Sequence, residues 1–427
     1  MTQSSVEARG KERTTGDVLD ARVVFLVNFL APNHVPVCRE LARRLSSFTV
    51  LCSVAMEGNR DWKPDWQGLD VDVQKTWTIT RNVDHPGGYR DVNYIHIPRD
   101  TFSQLRRLRP DAIVSLELGA RTLLAGAYRK WASRCAMVTS VCASERSEAG
   151  RGWIRKATRR KLLRDADWVT FNGPSCRKYL LGLGADENRM SPWDYAADPT
   201  KPYRGPLQPG LDNQVMGIDR PIRILTVGQL SERKGVLPAA RQLSAWAKRN
   251  PELSLEWHLL GSGPLEDDLR EFDWASNLSP QFHGHCDPDQ IRSAYRESDV
   301  LLFPTLTDEW GLVVDEAMHS GLPVIGSIHS QAATTLISAG ENGVLYDPEC
   351  EDPATSESLA VAMNGWYWGE TEPAANAARR PRSREEHFEA RQAARHHVRT
   401  RTPETSASQL IQAIESAMHR RFNKPLD

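Results

Sequence analysis

The 427-residue sequence lacks the features of several large protein classes. Its 54 lysines and arginines are offset by 55 aspartates and glutamates, so the formal charge of −1 argues against a general nucleic-acid binder, which needs a positive surplus. The best apolar run, from Val23 to Leu30, is far shorter than the roughly 20 residues that a membrane span requires. The first residues also lack the apolar core of a secretory signal, and together these absences predict a cytoplasmic protein.

The seven cysteines are scattered and never form a Cys-x-x-Cys pair. This spacing fits neither a zinc site nor the disulfide framework of a small secreted domain, so reduced thiols are expected. A Gly-x-Gly-x-x-Gly sequence is missing from the start of both halves of the chain, which argues against a nicotinamide-dependent oxidoreductase. What remains is a cytosolic protein of other chemistry, long enough for two domains.

What the sequence does contain is a regular alternation of predicted strands and helices, which occurs twice. In the first half, apolar runs predict strands at 23–27, 49–53, 112–116, 136–141 and 168–171, with helices at 35–45 and 121–130. In the second half, strands are predicted at 222–227, 255–260, 300–303 and 323–325, with helices at 236–249, 265–272, 288–297 and 312–320. This alternation predicts an α/β protein with two doubly wound, Rossmann-like domains.

Composition and periodicity divide the chain further. A disordered lead is predicted over 1–18, an N-terminal domain over 19–205, a linker rich in proline and glycine over 206–220, a second domain over 221–366 and a tail over 367–427. In the tail, 370–386 is expected to be loose, and 406–422 is an amphipathic helix that could pack back on the body. Segment 57–96 breaks the alternation and is expected to be irregular, either a lid or binding loop or a surface excursion pinned by tryptophans.

Two loops of the second domain each follow a predicted strand, at the edge where doubly wound sheets bind ligands. The first contains Gly228, Gln229, Arg233 and Lys234. Adjacent cations can neutralise phosphate oxygens, although Lys234 alone could equally be a solvated charge. The second contains Gly261 and Gly263, which let a ligand approach the backbone or only make a tight turn.

A third loop carries carboxylates into a helix. It runs from Asp308 through Trp310, Gly311 and Leu312 towards Glu316. The free N–H groups and partial positive charge of a helix N-terminus favour a diphosphate. Glu316, expected in about the first turn, could accept hydrogen bonds from ribose hydroxyls or only complement the helix dipole. The three loops together predict a donor that contains phosphate.

Five segments of the second half, VGQLSERKG, LLGSGP, DEWGLVVDEAM, SGLPVIGS and ENGVLYDP, follow one another between residues 222 and 348. In this order they resemble the donor domain of glycosyltransferase family 4. The first half is similar more weakly, through NFLAPNHVPV, ELGARTLL and SERSEAGRG. The resemblance implies the GT-B fold, with two domains facing a cleft, and a retaining transferase. Its co-substrate would be a nucleotide diphospho-sugar, with no cofactor and no metal.

The resemblance also implies roles for individual residues. Lys234 is expected to bind the donor diphosphate, the backbone of residues 310–312 to meet the phosphates and sugar, and Glu316 to hold the ribose. The first acidic position of the family's paired-glutamate motif, which contacts the donor sugar, falls on Asp308. Because aspartate is shorter than glutamate, either that contact changes or the neighbouring Glu309 substitutes.

Besides Asp308, two further positions depart from the family pattern. The usual arginine after Val-Gly is Gln229 here, and Arg233 could compensate, since guanidinium suits phosphate geometry. The usual first-domain histidine is absent, because no histidine lies between His96 and His258, and Arg146 aligns with its place. These departures keep a second interpretation open, a non-catalytic sugar-nucleotide-binding relative or scaffold. Another runner-up is a sugar phosphate transferase or phosphorylase.

Retaining transfer in this fold is thought to occur on one face of the sugar, and the leaving diphosphate helps to deprotonate the incoming hydroxyl. Lys234, Arg233 and the helix at Gly311 would then stabilise the growing charge. A double displacement would need a carboxylate at the anomeric carbon, for which the candidates by position are Glu117, Glu145 and Glu148. The Asp70-Val71-Asp72 sequence resembles a metal-binding Asp-x-Asp of the other major glycosyltransferase fold, but it lacks the surrounding pattern.

The basic segment 151–164 contains Trp153, Ile154, Leu162 and Leu163 among arginines and lysines. It is expected either to rest on anionic lipid at the inner face of the membrane or to be a surface helix whose apolar stripe faces the core. The acceptor is unknown, with glycans, lipid-linked glycans and small molecules all open.

Overall fold

The protein contains two parallel β-sheets with helices on their faces. The structure is a computed structural model, and it describes residues 18–58, 65–207, 216–350, 352, 355, 358–369 and 380–423. The predicted α/β class with two doubly wound domains is confirmed. The lead predicted over 1–18 lies outside the described residues except for residue 18, and so does most of the linker predicted over 206–220.

The strands of the first half are β1 (Leu19–Val27), β2 (Leu45–Cys52), β3 (Asp70–Val73), β4 (Thr76–His85), β5 (Tyr89–Pro98), β6 (Ala112–Leu116), β7 (Ala136–Val141), β8 (Trp168–Phe171) and β9 (Met190–Pro192). Seven of them form a parallel sheet in the order β3-β2-β1-β6-β7-β8-β9. Parallel strands are covered on both faces, so their apolar runs are continuous. The predicted strands at 23–27 and 136–141 are accordingly buried throughout.

The helices of the first half are α1 (His34–Arg44), α2 (Thr101–Leu108), α3 (Ala120–Trp131), α4 (Trp153–Asp165) and α5 (Pro174–Gly182). On one sheet face, α2 and α3 bury Leu105, Ala125 and Tyr128 against β1, β6 and β7. Farther along the sheet, α4 and α5 bury Leu162 and Leu180 against β7 and β8.

The expectation of an irregular segment over 57–96 is wrong for most of its length. Strands β4 and β5 form a ten-residue antiparallel hairpin that pairs Thr76 with Pro98 at its base and His85 with Tyr89 at its tip. Residues 77–82 are all exposed, so neither face of β4 shows the apolar alternation that predicts a strand. Next to the tip, Arg90 and Asp91 of β5 contact Glu232 and Arg233 of the second domain.

The second half contains β10 (Ile222–Val227), β11 (Leu255–Leu260), β12 (Leu278–Gly284), β13 (Val300–Phe303), β14 (Val324–Ser327) and β15 (Gly343–Tyr346). They form a parallel sheet in the order β12-β11-β10-β13-β14-β15. Its helices are α6 (Val236–Arg249), α7 (Glu266–Arg270), α8 (Pro288–Glu297), α9 (Leu312–His319), α10 (Gln331–Leu336) and α11 (Leu359–Trp368). The helix predicted over 265–272 is shorter, and the strand predicted over 323–325 begins one residue later and ends two residues later.

Two helices follow in the tail, α12 (Arg384–Val398) and α13 (Pro403–Phe422). Part of the segment expected to be loose, 370–379, lies outside the described residues, whereas 384–386 begin α12 with a capping box made by Ser383 and Glu386. α12 packs on the second domain, and α13 crosses back to the first, where Leu410 and Ile414 are fully buried. None of the described helices is long and apolar enough to cross a membrane.

Candidate active site

The three loops singled out in the sequence lie together at the carboxyl ends of β10, β11 and β13, the edge where ligands of doubly wound sheets bind. The first two loops are joined by backbone hydrogen bonds, from Gly228 N to Leu260 O at 2.8 Å and from Leu230 N to Ser262 O at 3.0 Å. A Cβ added to Gly261 would lie 2.1 Å from Gly228 O, and one added to Gly263 would lie 2.3 Å from Leu230 O. These two glycines are therefore required by the contact between the loops.

Lys234 and Arg233 converge on Asp308 of the third loop. The Lys234 ammonium forms an ion pair with the Asp308 carboxylate, and Arg233 Nη1 lies 3.9 Å from the same oxygen. Burial opposes ionisation of Asp308, but the charges of Lys234 and Arg233 prevail and hold its pKa below the ordinary value. The structure thus brings together three of the four residues predicted to be catalytic. Gln229 is exposed at the same loop.

The tip of the first-domain hairpin completes this cluster, and sequence reasoning missed it. Asp91 Oδ2 lies 3.1 Å from Arg233 Nε, and the backbone N–H of Arg90 donates a 2.8 Å hydrogen bond to Glu232 Oε2. Tyr89 is buried beside the third loop, where its hydroxyl bonds with Thr307. The Gly-Gly turn at the tip was the one available signal, but it could not indicate which loop the hairpin would meet.

Glu309, the suggested substitute for Asp308, faces the first domain. Asn172 donates a 2.7 Å hydrogen bond to its backbone carbonyl, and Gln331 Nε2 lies 3.4 Å from its carboxylate. Burial raises the pKa of Glu309 to about 8, with a smaller contribution from the negative charge of Asp308. A carboxyl group that is largely protonated near neutral pH can donate a hydrogen bond as well as accept one.

Glu316 lies apart from the cation cluster. It is the fifth residue of α9, beyond the first turn in which it was expected, and it is only 2% exposed. Tyr295 donates a 2.9 Å hydrogen bond to one carboxylate oxygen, and Lys201 Nζ lies 3.4 Å from the other. Burial raises the pKa of Glu316, and the positive charge of Lys201 opposes this rise.

The start of α9 combines a special backbone with a buried side chain. Gly311 has φ 99°, and a Cβ there would lie 2.7 Å from the Phe303 ring. Leu312 is the first residue of the helix. The Trp310 ring is 3% exposed and turns away from the loop surface, so that it donates a hydrogen bond to Asp315 and lies 4.6 Å beneath the Arg401 guanidinium. The Trp310 backbone is engaged as well, because its carbonyl accepts hydrogen bonds from Ala332 N at 2.9 Å and Ser330 Oγ at 2.8 Å, and its N–H donates to Asp308.

Arg146, which aligns with the family's histidine, joins the two domains. Its Nε donates a 2.9 Å hydrogen bond to Leu306 O, and its guanidinium forms an ion pair with Glu349. Glu349 and Asp347 flank His329, at 3.6 and 3.3 Å from its Nε2. Arg146 therefore pairs with one of two carboxylates that flank His329 in the second domain.

The three glutamates proposed by position differ in their surroundings. Glu148 is held by Arg155 and Arg159 of α4, at 3.1 and 2.6 Å, and Glu145 is exposed. Glu117, directly after β6, has φ 67°, an uncommon conformation for a residue with a side chain. Its carboxylate accepts a 3.3 Å hydrogen bond from Asn28, which lies in the first domain directly after β1. Strained backbone of this kind clusters at functional sites, so Glu117 is the best acceptor-side candidate.

The Asp70 and Asp72 side chains are engaged at the edge strand β3. Thr49 donates a 2.7 Å hydrogen bond to Asp70, and Arg107 forms a 2.7 Å ion pair with Asp72.

Comparison with known proteins supports the sequence resemblance. Residues 221–364 match the family model described as glycosyl transferases group 1. The chain is 27% identical over 208 residues to the sulfoquinovosyl transferase SQD2 of Arabidopsis thaliana, a match covering 46% of this chain and 38% of that protein. It is 30% identical over 214 residues to a D-inositol 3-phosphate glycosyltransferase of Rhodococcus opacus (strain B4), covering 47% and 45%. The chain thus spans less than half the length of these relatives.

Solved structures match over nearly the whole chain. The Anabaena protein Alr3699/HepE in complex with UDP-glucose has a TM-score of 0.64 at 15% identity, covering 93% of this chain and all of that one. A sucrose-phosphate synthase from Thermosynechococcus elongatus has a TM-score of 0.62 at 16% identity, covering 92% and 98%. At this level of identity the likeness concerns the fold. The chain therefore has the GT-B fold, and residues 221–364 carry the pattern of glycosyl transferases group 1.

Proposed function

We propose that this protein is a retaining, metal-independent glycosyltransferase that moves a hexosyl or related sugar from a nucleotide diphospho-sugar to an acceptor. The observation that carries the proposal is the pair of cations, Lys234 and Arg233, at the carboxyl end of β10, next to the N-terminus of α9. Two cations and a helix N-terminus at one sheet edge suit a diphosphate, which carries negative charge on several oxygens.

In this account the donor diphosphate exchanges places with carboxylates. Asp308 and Asp91 contact the two cations, and phosphate oxygens would take over those contacts. Asp308, once released, would be free to bind the donor sugar, as its family position implies. Glu316 would hold the ribose through a carboxylate already oriented by Tyr295 and Lys201.

The chemical step places charge on the leaving diphosphate. Lys234 and Arg233 would stabilise that charge in a closed cleft, where electrostatic interactions are stronger than in water. The diphosphate would accept the proton of the incoming hydroxyl on the face it leaves, which retains the configuration. Glu117, on the first-domain side, would orient the acceptor hydroxyl through its carboxylate.

The relatives give supporting context. One solved neighbour is described with UDP-glucose, and the curated relatives named above are glycosyl and sulfoquinovosyl transferases. By analogy, the co-substrate of this chain would be a nucleotide diphospho-sugar, and the reaction would belong to polysaccharide or other glycoconjugate biosynthesis in the cytoplasm. The acceptor would be a glycan, a lipid-linked glycan or a small molecule.

The test is a hydrolysis and transfer assay with a panel of nucleotide diphospho-sugars, comparing the wild type with Lys234→Ala and Glu316→Ala. We expect slow donor hydrolysis by the wild type and losses on the order of a hundredfold in Lys234→Ala, the size found when one transition-state donor is removed. Lys248→Ala, an exposed lysine of α6, is the matched control. A well-folded wild type that neither binds nor hydrolyses any donor would contradict the proposal.

The second candidate is a non-catalytic sugar-nucleotide-binding protein. It is favoured by the three departures from the family pattern at Asp308, Gln229 and Arg146, the last of which ties the domains together. Saturable donor binding that depends on Lys234, without hydrolysis or transfer to any acceptor offered with membranes, would decide for this candidate.

A further inference from the structure

Helix α4 exposes large apolar side chains that its own packing does not explain. Leu162 and Leu163 form the apolar stripe that faces the core, and both are buried. Trp153 and Ile154, at the first two positions of the helix, lie outside that stripe and are 78% and 65% exposed. The packing of a surface helix on the core explains Leu162 and Leu163 only, because Trp153 and Ile154 face solvent.

The same helix presents a cationic surface. Arg155 and Arg159 turn inward to Glu148, whereas Lys156, Arg160 and Arg164 are exposed. Within the described part of the chain, these three exposed cations form no ion pair, and on the same surface Lys161 lies 3.6 Å from Asp165. The exposed face therefore combines an excess of positive charge with an indole and a branched aliphatic side chain.

The exposed face of α4 begins near the cleft between the two domains. α4 follows β7 through residues 142–152, the segment whose Arg146 contacts the second domain. Its N-terminus therefore lies at the same end of the first sheet as the cleft. A cavity of about 470 Å³ opens beside the helix, and Arg151, Trp153 and Lys156 line it together with Glu148 and Tyr179.

We propose that the exposed face of α4, formed by Trp153, Ile154, Lys156, Arg160 and Arg164, docks the protein on an anionic lipid bilayer. Basic side chains are attracted by the negative surface potential of such a bilayer, and tryptophan favours the headgroup region. Lipid headgroups of one sign complement a face whose unpaired charges are all positive. The contact needs no sugar donor, so it can be tested whether or not the proposed transfer occurs.

The experiment is co-sedimentation of the full chain with vesicles of phosphatidylcholine alone or of phosphatidylcholine with phosphatidylglycerol. We expect binding to the anionic vesicles only, and we expect it to fall steeply as salt is raised, because exposed charges are screened within about 10 Å at 0.1 M ionic strength. Equal binding to both vesicles, or no binding to either, would overturn the proposal.

Two double variants of α4, each compared with a control elsewhere in the chain, test whether binding occurs through this helix. The double variant Lys156→Glu/Arg160→Glu should bind anionic vesicles on the order of tenfold or more weakly, since each cation near the surface contributes. Its control is Lys248→Glu with Arg249→Glu, the same charge change at the exposed end of α6. Trp153→Ser with Ile154→Ser should also weaken binding, whereas Trp77→Ser, which alters a tryptophan 60% exposed on the hairpin, should not.

Circular dichroism of each variant is the control for correct folding. If the α6 or hairpin control lost as much vesicle binding as its α4 partner, the attraction would belong to overall charge or exposed aromatics, and the assignment to α4 would be wrong.

Discussion

Arg233 and Lys234 contact two carboxylates of the protein, and in the proposed function they would also bind the donor diphosphate. Asp308 lies in the same domain as both cations, and Asp91, from the other domain, pairs with Arg233. In the proposed function a diphosphate would compete with both carboxylates, so the net affinity for the donor would reflect an exchange of partners. The contribution of each exchange is small when the groups are partly solvated.

At Asp91 this exchange can be measured. Asp91→Asn removes the negative charge 3.1 Å from Arg233, so we expect the affinity for a nucleoside diphosphate to rise by roughly twofold to fivefold, the range for a partly exposed ion pair. Isothermal titration gives the dissociation constant. Asp84→Asn is the control, because Asp84 pairs with Arg90 within the hairpin. Weaker binding by Asp91→Asn would mean that Asp91 supports the donor site.

Glu309 gives a prediction in pH. Its folded-state pKa of about 8 lies above the ordinary value of 4.5, so the folded protein binds the extra proton between these values. The contribution of Glu309 to the free energy of unfolding is fully present below about pH 4.5 and is lost as the pH rises through about 8. Glu309→Gln mimics the protonated form, and its unfolding midpoint should therefore rise relative to wild type from pH 6 to pH 8. A difference between the two midpoints that does not change with pH would contradict this assignment.

Among the elements, α13 connects the C-terminal part of the chain to the first domain. It packs on α1 and β7 of the first domain after α12 has packed on α9 of the second. Arg401, just before α13, forms ion pairs with Asp194 and Asp315, each at 3.1 Å. The tail thus connects both domains through buried apolar and charged contacts.

Leu410→Ala tests the packing of α13. The side chain is fully buried, and we expect the substitution to lower the free energy of unfolding by about 2–5 kcal/mol. Chemical denaturation followed by circular dichroism provides the measurement. Gln412→Ala, on the exposed side of the same helix, should change it by less than about 0.5 kcal/mol. Equal effects at the two positions would show that α13 is not packed as described.

The sequence predicted elements well where burial leaves a continuous signal. The strands at 112–116, 136–141 and 222–227 were predicted with their observed bounds, because parallel strands buried on both faces are apolar throughout. The β4–β5 hairpin and α12 were missed, since their residues are mostly exposed or polar and carry little periodicity.

The candidate site was predictable only in part for a related reason. The motif residues lie in one domain and close in sequence, so their loops could be placed at one sheet edge. The contact between Arg90 and Glu232 joins residues 142 positions apart and depends on how the hairpin crosses between domains. No local pattern encodes such a contact. The partners of Glu316, Tyr295 and Lys201, were missed because they lie outside its loop.

At the scale of the whole molecule, the two domains meet through polar contacts on several loops. Arg146 bonds to Leu306 and Glu349, Asn172 bonds to Glu309, and Gln331 Oε1 accepts a 3.0 Å hydrogen bond from Cys176 N. Polar interfaces between domains are typical of domains that move relative to each other. Donor binding and cleft closure are therefore expected to be linked.

Arg146→Ala tests this linkage. It removes one ion pair and a hydrogen bond across the cleft, so we expect a larger radius of gyration by small-angle X-ray scattering, reduced again by a saturating nucleoside diphosphate. Arg177→Ala is the control, because Arg177 pairs with Glu187 inside the first domain. An unchanged radius in Arg146→Ala would show that other contacts hold the cleft closed.

Lys234 and Arg233 are proposed to form a diphosphate site. The most direct measurement compares the affinities of the wild type and Lys234→Ala for nucleoside diphosphates and the matching monophosphates. We expect the wild type to prefer diphosphates and Lys234→Ala to lose most of this preference, while monophosphate binding changes little. A preference that is absent in the wild type, or undiminished in the variant, would contradict the proposal.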